Sequence, residues 1–221
     1  MLSHTSDVER PEPRWPVILA SFSAVALHFV LPAELRPGTP WVLASVVGTL
    51  VIAAIVSRHL GMHRANAWAS YGVLGALAIG LLYGVVALIV GLVRKTEGAA
   101  ALLTSAAVLW VINVIVFASW YWRLDGGGPN ERERQDAHTR GAFLFPQMTV
   151  TSPSSDVSLA EQEGWRPSFV DYLFLAFNTS TAFSPTDVPV LSSWAKMTMM
   201  LQAMISLTTI VLVAGRAVNI L

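Results

Sequence analysis

The sequence predicts an all-α integral membrane protein with four transmembrane helices, a short re-entrant helix and a C-terminal fifth transmembrane helix. Hydrophobic residues form 54% of the 221-residue chain and charged residues only 13%, whereas a soluble domain carries about a quarter charged residues. Several apolar stretches approach the roughly 20 residues that a helix needs to cross a bilayer. A shorter apolar stretch, 167–180, cannot cross, so it is re-entrant, interfacial or buried, and we interpret it as re-entrant.

The first four predicted spans follow one another with short polar connections. They cover about 16–35, 41–57, 68–93 and 99–122. Tryptophans lie near several of their ends, as is typical of the membrane interface, where the ring is apolar and the N–H meets water. Short connections indicate that consecutive helices pack as antiparallel neighbours. We therefore interpret 1–98 as a three-helix membrane region that is followed by the fourth span, 99–122.

A few small or polar residues inside these spans indicate how the helices pack. Gly80 and Gly84 are four residues apart, which lets another helix approach closely, and packing within one subunit is favoured over a dimer contact. His28 lies in the first span and is expected to be buried with a polar partner. Asn113 in the fourth span is expected to bond to a neighbouring helix.

Residues 123–166 break the apolar pattern and form a predicted extramembrane loop. The loop contains three consecutive glycines followed by a proline at 126–129, and alternating acidic and basic residues at 131–134. Loops this long are usually functional or disordered. Its apolar stretch, 142–146, is expected to pack onto the membrane region or onto a neighbouring subunit.

The C-terminal unit, 167–221, is predicted to be a short helix, an extended loop and a long helix. Ser168 and Asp171 match the start signal of a helix. Two prolines and several hydroxyl-bearing residues then force an extended path over 179–189. Such irregular backbone is tolerated at membrane depth only when it is buried in protein or lines water.

Polar residues of the last helix recur at steps of four and three, so they share one face. Such a stripe either lines an aqueous path or bonds to a neighbouring helix, and the sequence leaves both interpretations open. The predicted pore-lining positions of this helix are Gln202, Ser206, Thr209, Val213 and Arg216.

This arrangement of short helix, hydroxyl-rich turn, aspartate and polar-striped last helix resembles the pore module of the potassium-channel superfamily. The resemblance covers about 169–221, with 101–122 as the possible outer helix. When the chains are aligned on Asp187, the family's filter falls on 182–187 and its preceding threonine on Thr181. The chain also looks like an uncharacterised bacterial membrane-protein family that shares motifs at 171–173, 182–187 and 215–219, a resemblance that implies no activity.

The filter-like segment departs from the potassium-channel pattern in its backbone chemistry. Ser184 and Thr186 stand in place of both glycines, and Pro185 fixes φ near −65°. The glycines of a potassium filter permit the dihedral angles that aim carbonyls at the axis, so that carbonyl ladder is not expected here. Hydroxyl oxygens are better candidate ligands for a hard cation, and a carboxylate at the mouth would concentrate cations. The predicted ion pathway is Thr179, Thr181, Phe183, Ser184, Thr186 and Asp187.

The resemblance implies a cation-channel-like pore, assembled as a homotetramer, with a degenerate filter that is not that of a potassium channel and a monovalent cation as the permeant ion. The alternative is a non-conducting membrane scaffold or partner subunit with the same fold. Secondary transport is less favoured because the sequence contains no visible inverted repeat. In either case the bilayer is the main partner, and we expect a multi-pass protein of the cell (plasma) membrane.

Other functional classes lack support in the sequence. The formal net charge is zero, so nucleic-acid binding is not expected. No enzyme is expected, since nucleotide-loop, nucleophile-elbow and zinc-protease motifs are missing. His59 and His63 are four residues apart but have no evident third ligand nearby, so no metal site and no cofactor is predicted. Positive charges in the short loops place the N-terminus in the cytoplasm, which conflicts with the topology of the pore module.

Overall fold

The structure, a computed structural model, describes residues 12–94, 98–134, 138, 141–149, 165–181 and 188–218. These residues form helices, and their one β-type pairing is an isolated antiparallel bridge between Phe143 and Val190. The helices are α1 (Trp15–Val30), α2 (Pro40–His59), α3 (His63–Arg94), α4 (Ala99–Leu124), the single turn α5 (Pro129–Arg132), α6 (Phe169–Thr181) and α7 (Ser193–Val218).

In the part of the chain that the structure describes, four helical segments are long and apolar enough to cross a membrane. They are Trp41–His59, His63–Arg94, Ala100–Gly127 and Ser193–Leu212. The prediction of an all-α protein with membrane-spanning helices is confirmed at this level. The first predicted span, 16–35, differs from the structure, in which α1 has 16 residues and ends at Val30. The cause is Pro32, since the residue before a proline is pushed out of helical geometry, and Leu31 is extended with a ψ of 145°.

Helix α4 joins the two halves of the molecule. It contacts α1 and α3 on one side and α6 and α7 on the other. Helices α2 and α3 form a hairpin through a tight reversal at 60–62, in which Gly61 has a φ of 70°. The C-terminal unit therefore packs against α4, the last helix of the N-terminal bundle.

Gly80 and Gly84 lie where α3 meets other parts of the same chain. A Cβ atom at Gly80 would lie 2.9 Å from Nε2 of His28, and one at Gly84 would lie 2.6 Å from Leu109. The prediction that these glycines serve packing within the subunit is confirmed. His28 is buried as expected, and its Nδ1 lies 2.8 Å from the Ala24 carbonyl oxygen.

The chain leaves α4 through three glycines with positive φ. Gly126, Gly127 and Gly128 have φ values of 58°, 80° and 89°. Gly128 also has a ψ of 174°, a backbone region that is essentially restricted to glycine. A Cβ atom there would lie 2.7 Å from the Arg123 carbonyl oxygen. This turn sends the loop back over the end of α4.

Replacing Gly128 with alanine should lower the free energy of unfolding by about 1–3 kcal/mol, because the backbone there is strained for any other residue. Thermal unfolding of the purified protein in detergent measures the effect. Gly48→Ala is the matched control, since a Cβ atom at Gly48 meets nothing within 4 Å. Equal unfolding temperatures for the two variants would contradict the strain argument.

Candidate functional site: the short helix and its polar contacts

Helix α6 begins with the predicted capping pair. The backbone N–H and the hydroxyl of Ser168 both donate to the Asp171 carboxylate, at 2.7 and 2.8 Å. These bonds satisfy a donor at the helix start and fix the residue from which α6 departs. The rest of α6 lies between α4 and α7.

The first turn of α6 is anchored to the C-terminal end of α4 by Asp125. This residue is fully buried, and its carboxylate accepts hydrogen bonds from the hydroxyl of Tyr172 at 2.7 Å and from the backbone N–H of Ala142. Nε2 of His138 lies 3.0 Å from the same carboxylate. A buried carboxylate is tolerated only when its oxygens are paired, so Asp125 joins α4, α6 and the loop in one cluster.

The last turns of α6 are anchored by Gln202 of α7. Its side-chain N–H groups donate to the Ala176 carbonyl oxygen at 2.7 Å and to the Ser180 hydroxyl at 2.8 Å. Its side-chain carbonyl accepts the hydroxyl of Tyr121 from α4 at 2.5 Å. Trp110 of α4 also donates to the Ser180 carbonyl oxygen at 3.4 Å. One buried amide thus bonds to both α4 and α6, the two helices packed against α7.

Further along α7, the polar stripe continues into contacts with α4. Asn113 donates to the Ser206 hydroxyl at 2.7 Å and to the Gln202 carbonyl oxygen at 3.2 Å. This confirms that Asn113 bonds to a neighbouring helix. The hydroxyl of Thr209 donates to backbone carbonyl oxygens of its own helix.

The assignment of the stripe to a pore lining is therefore corrected for three residues. Gln202, Ser206 and Thr209 are 0%, 0% and 1% exposed and face the interior of the subunit. The reason is that α4 and α6 supply hydrogen-bonding partners on that face, which sequence periodicity alone does not reveal. At the other two assigned positions, Val213 and Arg216, the structure describes the helix backbone alone.

The predicted ion-pathway residues are described only in part. Thr179 is 7% exposed, and its hydroxyl donates to the Leu175 carbonyl oxygen, so it faces the interior and not a shared axis. Thr181 is exposed at the end of α6, where its hydroxyl donates to the Phe177 carbonyl oxygen. The remaining positions lie outside the described residues: Phe183, Ser184, Thr186 and Asp187.

The chain after the filter-like segment is fixed to the loop that follows α4. Leu144 donates its N–H to the Pro189 carbonyl oxygen at 2.9 Å, and Leu191 donates to the Ala142 carbonyl oxygen at 2.8 Å. Phe143, in the middle of this pairing, contacts the rings of Tyr121, Tyr172 and Trp194. The apolar loop stretch thus packs onto its own chain and holds the start of α7 near the end of α4.

A second buried cluster joins Glu12, which precedes α1, to the same end of α4. Arg132 is 1% exposed and donates to both carboxylate oxygens of Glu12, at 2.8 and 3.1 Å. It also donates to the carbonyl oxygens of Trp122 and Asp125. Burial by itself would lower the pKa of Arg132, but the electrostatic influence of Tyr172, Glu12 and Asp125 outweighs it and raises that pKa. The guanidinium therefore stays charged and paired.

Sequence reasoning gave no role to the exposed apolar faces of α6 and α7. On α6 this face contains Val170, Phe174 and Phe177, which are 65%, 57% and 46% exposed. On α7 it contains Met197, Met200, Leu201, Met204, Leu207 and Val211. The signal was present as methionines three and four residues apart. The apolar face of α7, and not its polar stripe, is the one available to lipid or to another subunit.

Comparison of the chain with protein-family models finds no matching family, and comparisons with curated proteins and with solved structures find no similar protein. Within the described residues, no group of three or more histidine, cysteine or acidic side chains could hold a metal ion. The geometry of the C-terminal unit is therefore the basis for any statement about function.

Replacing Gln202 with leucine should lower the free energy of unfolding by about 2 kcal/mol or more, because several buried polar groups lose their partner. Thermal unfolding in detergent measures it. Thr198→Val is the control on the same helix, since the Thr198 hydroxyl bonds only to the Trp194 carbonyl oxygen of its own helix, and its effect should stay within about 0.5 kcal/mol. A Gln202→Leu effect as small as the control would exclude the amide as an anchor.

Proposed function

We propose that the chain is one subunit of a cation-channel-like pore, assembled as a homotetramer with the filter-like segment 182–187 near a shared axis. The observation that carries this proposal is the position of α6, a helix of 13 residues bonded by buried polar groups to two long apolar helices. A helix of that length spans about 20 Å and cannot cross a bilayer.

The depth of α6 follows from its partners on α4. Its first turn bonds to Asp125 at the end of α4, while its last turn bonds to Trp110, which lies 125 − 110 = 15 residues earlier. Fifteen residues of helix correspond to about 22 Å. The anchor on α7 gives the same result, because Gln202 lies more than two turns inside the helix that begins at Ser193. These contacts support an end of α6 near the middle of the membrane.

The return of the chain supports a re-entrant loop. Val190 pairs with Phe143, and Phe143 contacts Tyr121 near the end of α4. The chain thus descends along α6 from the level of Asp125 and is back at nearly that level before α7 begins. The described stretches on either side of 182–187 therefore have their outer ends on the same side of the bundle, as the two arms of a pore module do.

The need to cover polar groups at membrane depth favours a ring of subunits. Residues 182–187 contain two hydroxyl-bearing side chains and a carboxylate, and they follow Thr181, which is exposed in the isolated subunit. Irregular backbone is stable at this depth only when it is covered by protein or lines water. A ring of copies supplies both. The C-terminal end of α6 would add partial negative charge, which favours cations over anions.

The second candidate is a non-conducting scaffold or partner subunit with the same fold. The observation that favours it is the apolar exposed face of α7, because a pore lined by methionine, leucine and valine would exclude water. The two candidates share the fold; the pore needs a tetramer with a shared axis, and the scaffold does not. In both, the chain is a multi-pass protein that we assign to the plasma membrane.

Cross-linking through an introduced cysteine tests the shared axis. The chain contains no cysteine, so Thr181→Cys supplies a single reactive group at the end of α6. We expect oxidation or a short bifunctional maleimide to give disulfide-linked or bridged dimers, which can form only if copies of this residue approach one another. Ile79→Cys on α3, where the native side chain is 67% exposed, should give no such product.

The subunit count comes from the intact complex. Native mass spectrometry of the wild-type protein should give a mass of four chains. A monomer, together with no cross-link at position 181, would exclude the pore and favour the scaffold.

Cation flux into liposomes separates a conducting pore from a scaffold. Replacing Asp187 with asparagine should lower flux severalfold without loss of folding, because a carboxylate at the mouth raises the local cation concentration. Glu34→Gln is the control, an exposed carboxylate in the turn between α1 and α2, and it should leave flux unchanged. Wild-type flux no greater than that of empty liposomes would favour the scaffold, and equal flux in both variants would remove Asp187 from the mechanism.

A further inference from the structure

A cavity of about 340 Å³ opens at the end of the helical bundle where α2 ends and α3 begins. It lies between α1, α2, α3 and α4. Its wall is largely apolar and includes Val51, Val73 and Leu74. Cavities of roughly 300–1,000 Å³ with apolar walls and few polar groups are typical of small-ligand sites.

Three arginines from three different segments line this cavity: Arg14, Arg58 and Arg123. No acidic residue among those that the structure describes lines it. The carboxylate of Glu133 pairs with two of these arginines, at 3.1 Å from Arg14 and 3.7 Å from Arg58. The other nearby carboxylate, that of Glu12, is neutralised by Arg132, which does not line the cavity. Three positive charges and one negative charge leave a local excess of 3 − 1 = 2. This excess favours an anion in the cavity.

Arg123 is the strongest indication that a ligand is needed. Its side chain is buried at 5% exposure, and its guanidinium lies 4.9 Å from the centre of the Tyr71 ring. Within the described part of the chain it has no hydrogen bond and no ion pair, and its Nε is fully enclosed without a partner. A buried charge without a hydrogen-bonding partner is costly. An anion in the cavity would supply that partner.

The position of the cavity points to a ligand that is part lipid. Its lining runs along α2 from Arg58 to Val51, about 10 Å of helix, so the cationic groups lie at the helix ends and the apolar wall lies deeper. Ile55 lines the cavity and is 40% exposed on the outer surface of the helix. The cavity therefore meets the surface that faces the acyl chains.

We infer that this cavity binds an anionic phospholipid, with its phosphate against Arg123 and Arg58 and part of an acyl chain along the apolar wall. The phosphate accepts charge-assisted hydrogen bonds from the guanidinium groups, and the chain removes apolar surface from water. The inference does not depend on the proposed pore, because the site lies in the N-terminal bundle and holds no residue of α6 or α7.

Titration of the delipidated protein in a nonionic detergent tests the site. Phosphatidylglycerol should bind one molecule per chain by native mass spectrometry and raise the unfolding temperature. Phosphatidylcholine with the same acyl chains should bind about tenfold more weakly, since it has no net charge to pair with the arginines. Inorganic phosphate alone should give no shift of the unfolding temperature. Equal binding of the two lipids would overturn anion recognition, and a full effect of phosphate alone would overturn the lipid.

Variants locate the site within the molecule. Arg58→Gln removes a partly exposed cavity charge, and Arg123→Gln removes the buried one; each should weaken phosphatidylglycerol binding about tenfold. Arg64→Gln is the matched control, because Arg64 is exposed at the same end of the bundle but does not line the cavity. Ala54→Phe fills the cavity without changing its charge and should abolish binding. Binding that all these variants retain at the wild-type level would overturn the site, and Arg58→Gln and Ala54→Phe decide the matter even if Arg123→Gln fails to fold.

Discussion

The C-terminal half of the molecule depends on one constraint, that polar groups placed inside an apolar helical bundle must find partners within it. The amide of Gln202 meets this constraint for both neighbouring helices, by donating to α6 and accepting from Tyr121 of α4. Asp125 does the same at the C-terminal end of α4, where it pairs with Tyr172 and Ala142. Helix α6, which is too short to cross a bilayer, is thus fixed at both ends. Side chains of α4 and α7 therefore determine where the chain leaves this helix.

The loop after α4 completes this fixation. Because its three glycines reverse the chain, the stretch around Phe143 lies over α4 and pairs with the residues that precede α7. The ion pair of Arg132 and Glu12 brings the N-terminus into the same layer. A buried pair of this kind contributes less to net stability than its geometry suggests, but removing one partner is costly. This layer therefore holds α6 and the residues that precede α7, the two stretches of chain that flank segment 182–187.

Length and hydropathy are local properties, and so the long apolar helices, the capping pair of α6 and the intrachain role of Gly80 could be predicted from the sequence. The fate of the polar stripe could not, because periodicity identifies which residues share a face and not what that face meets. Gln202 and Ser206 would look the same beside water or beside Asn113. The pairing of Arg132 with Glu12 joins residues 120 positions apart, a distance at which a single sequence carries no pairing signal. Arg123 likewise reads as an interfacial charge until its burial is seen.

The burial of the stripe decides which residues could act at a shared axis. Since Gln202 and Ser206 of α7 bond to α4 and α6, the outer surface of α7 is mainly apolar, with Met197, Met200 and Met204 exposed. The half-buried residues Thr198 and Thr208 also lie on this surface. Such a surface packs well against another copy, because methionine adapts to irregular gaps, and its two threonine hydroxyls donate to carbonyl oxygens of their own helix. Ion recognition in a tetramer would therefore rest on the end of α6 and the segment after it, and the methionine-rich part of α7 would act as a dewetting barrier and not as a conduit. Conduction and its control would thus reside in different elements of the same short unit.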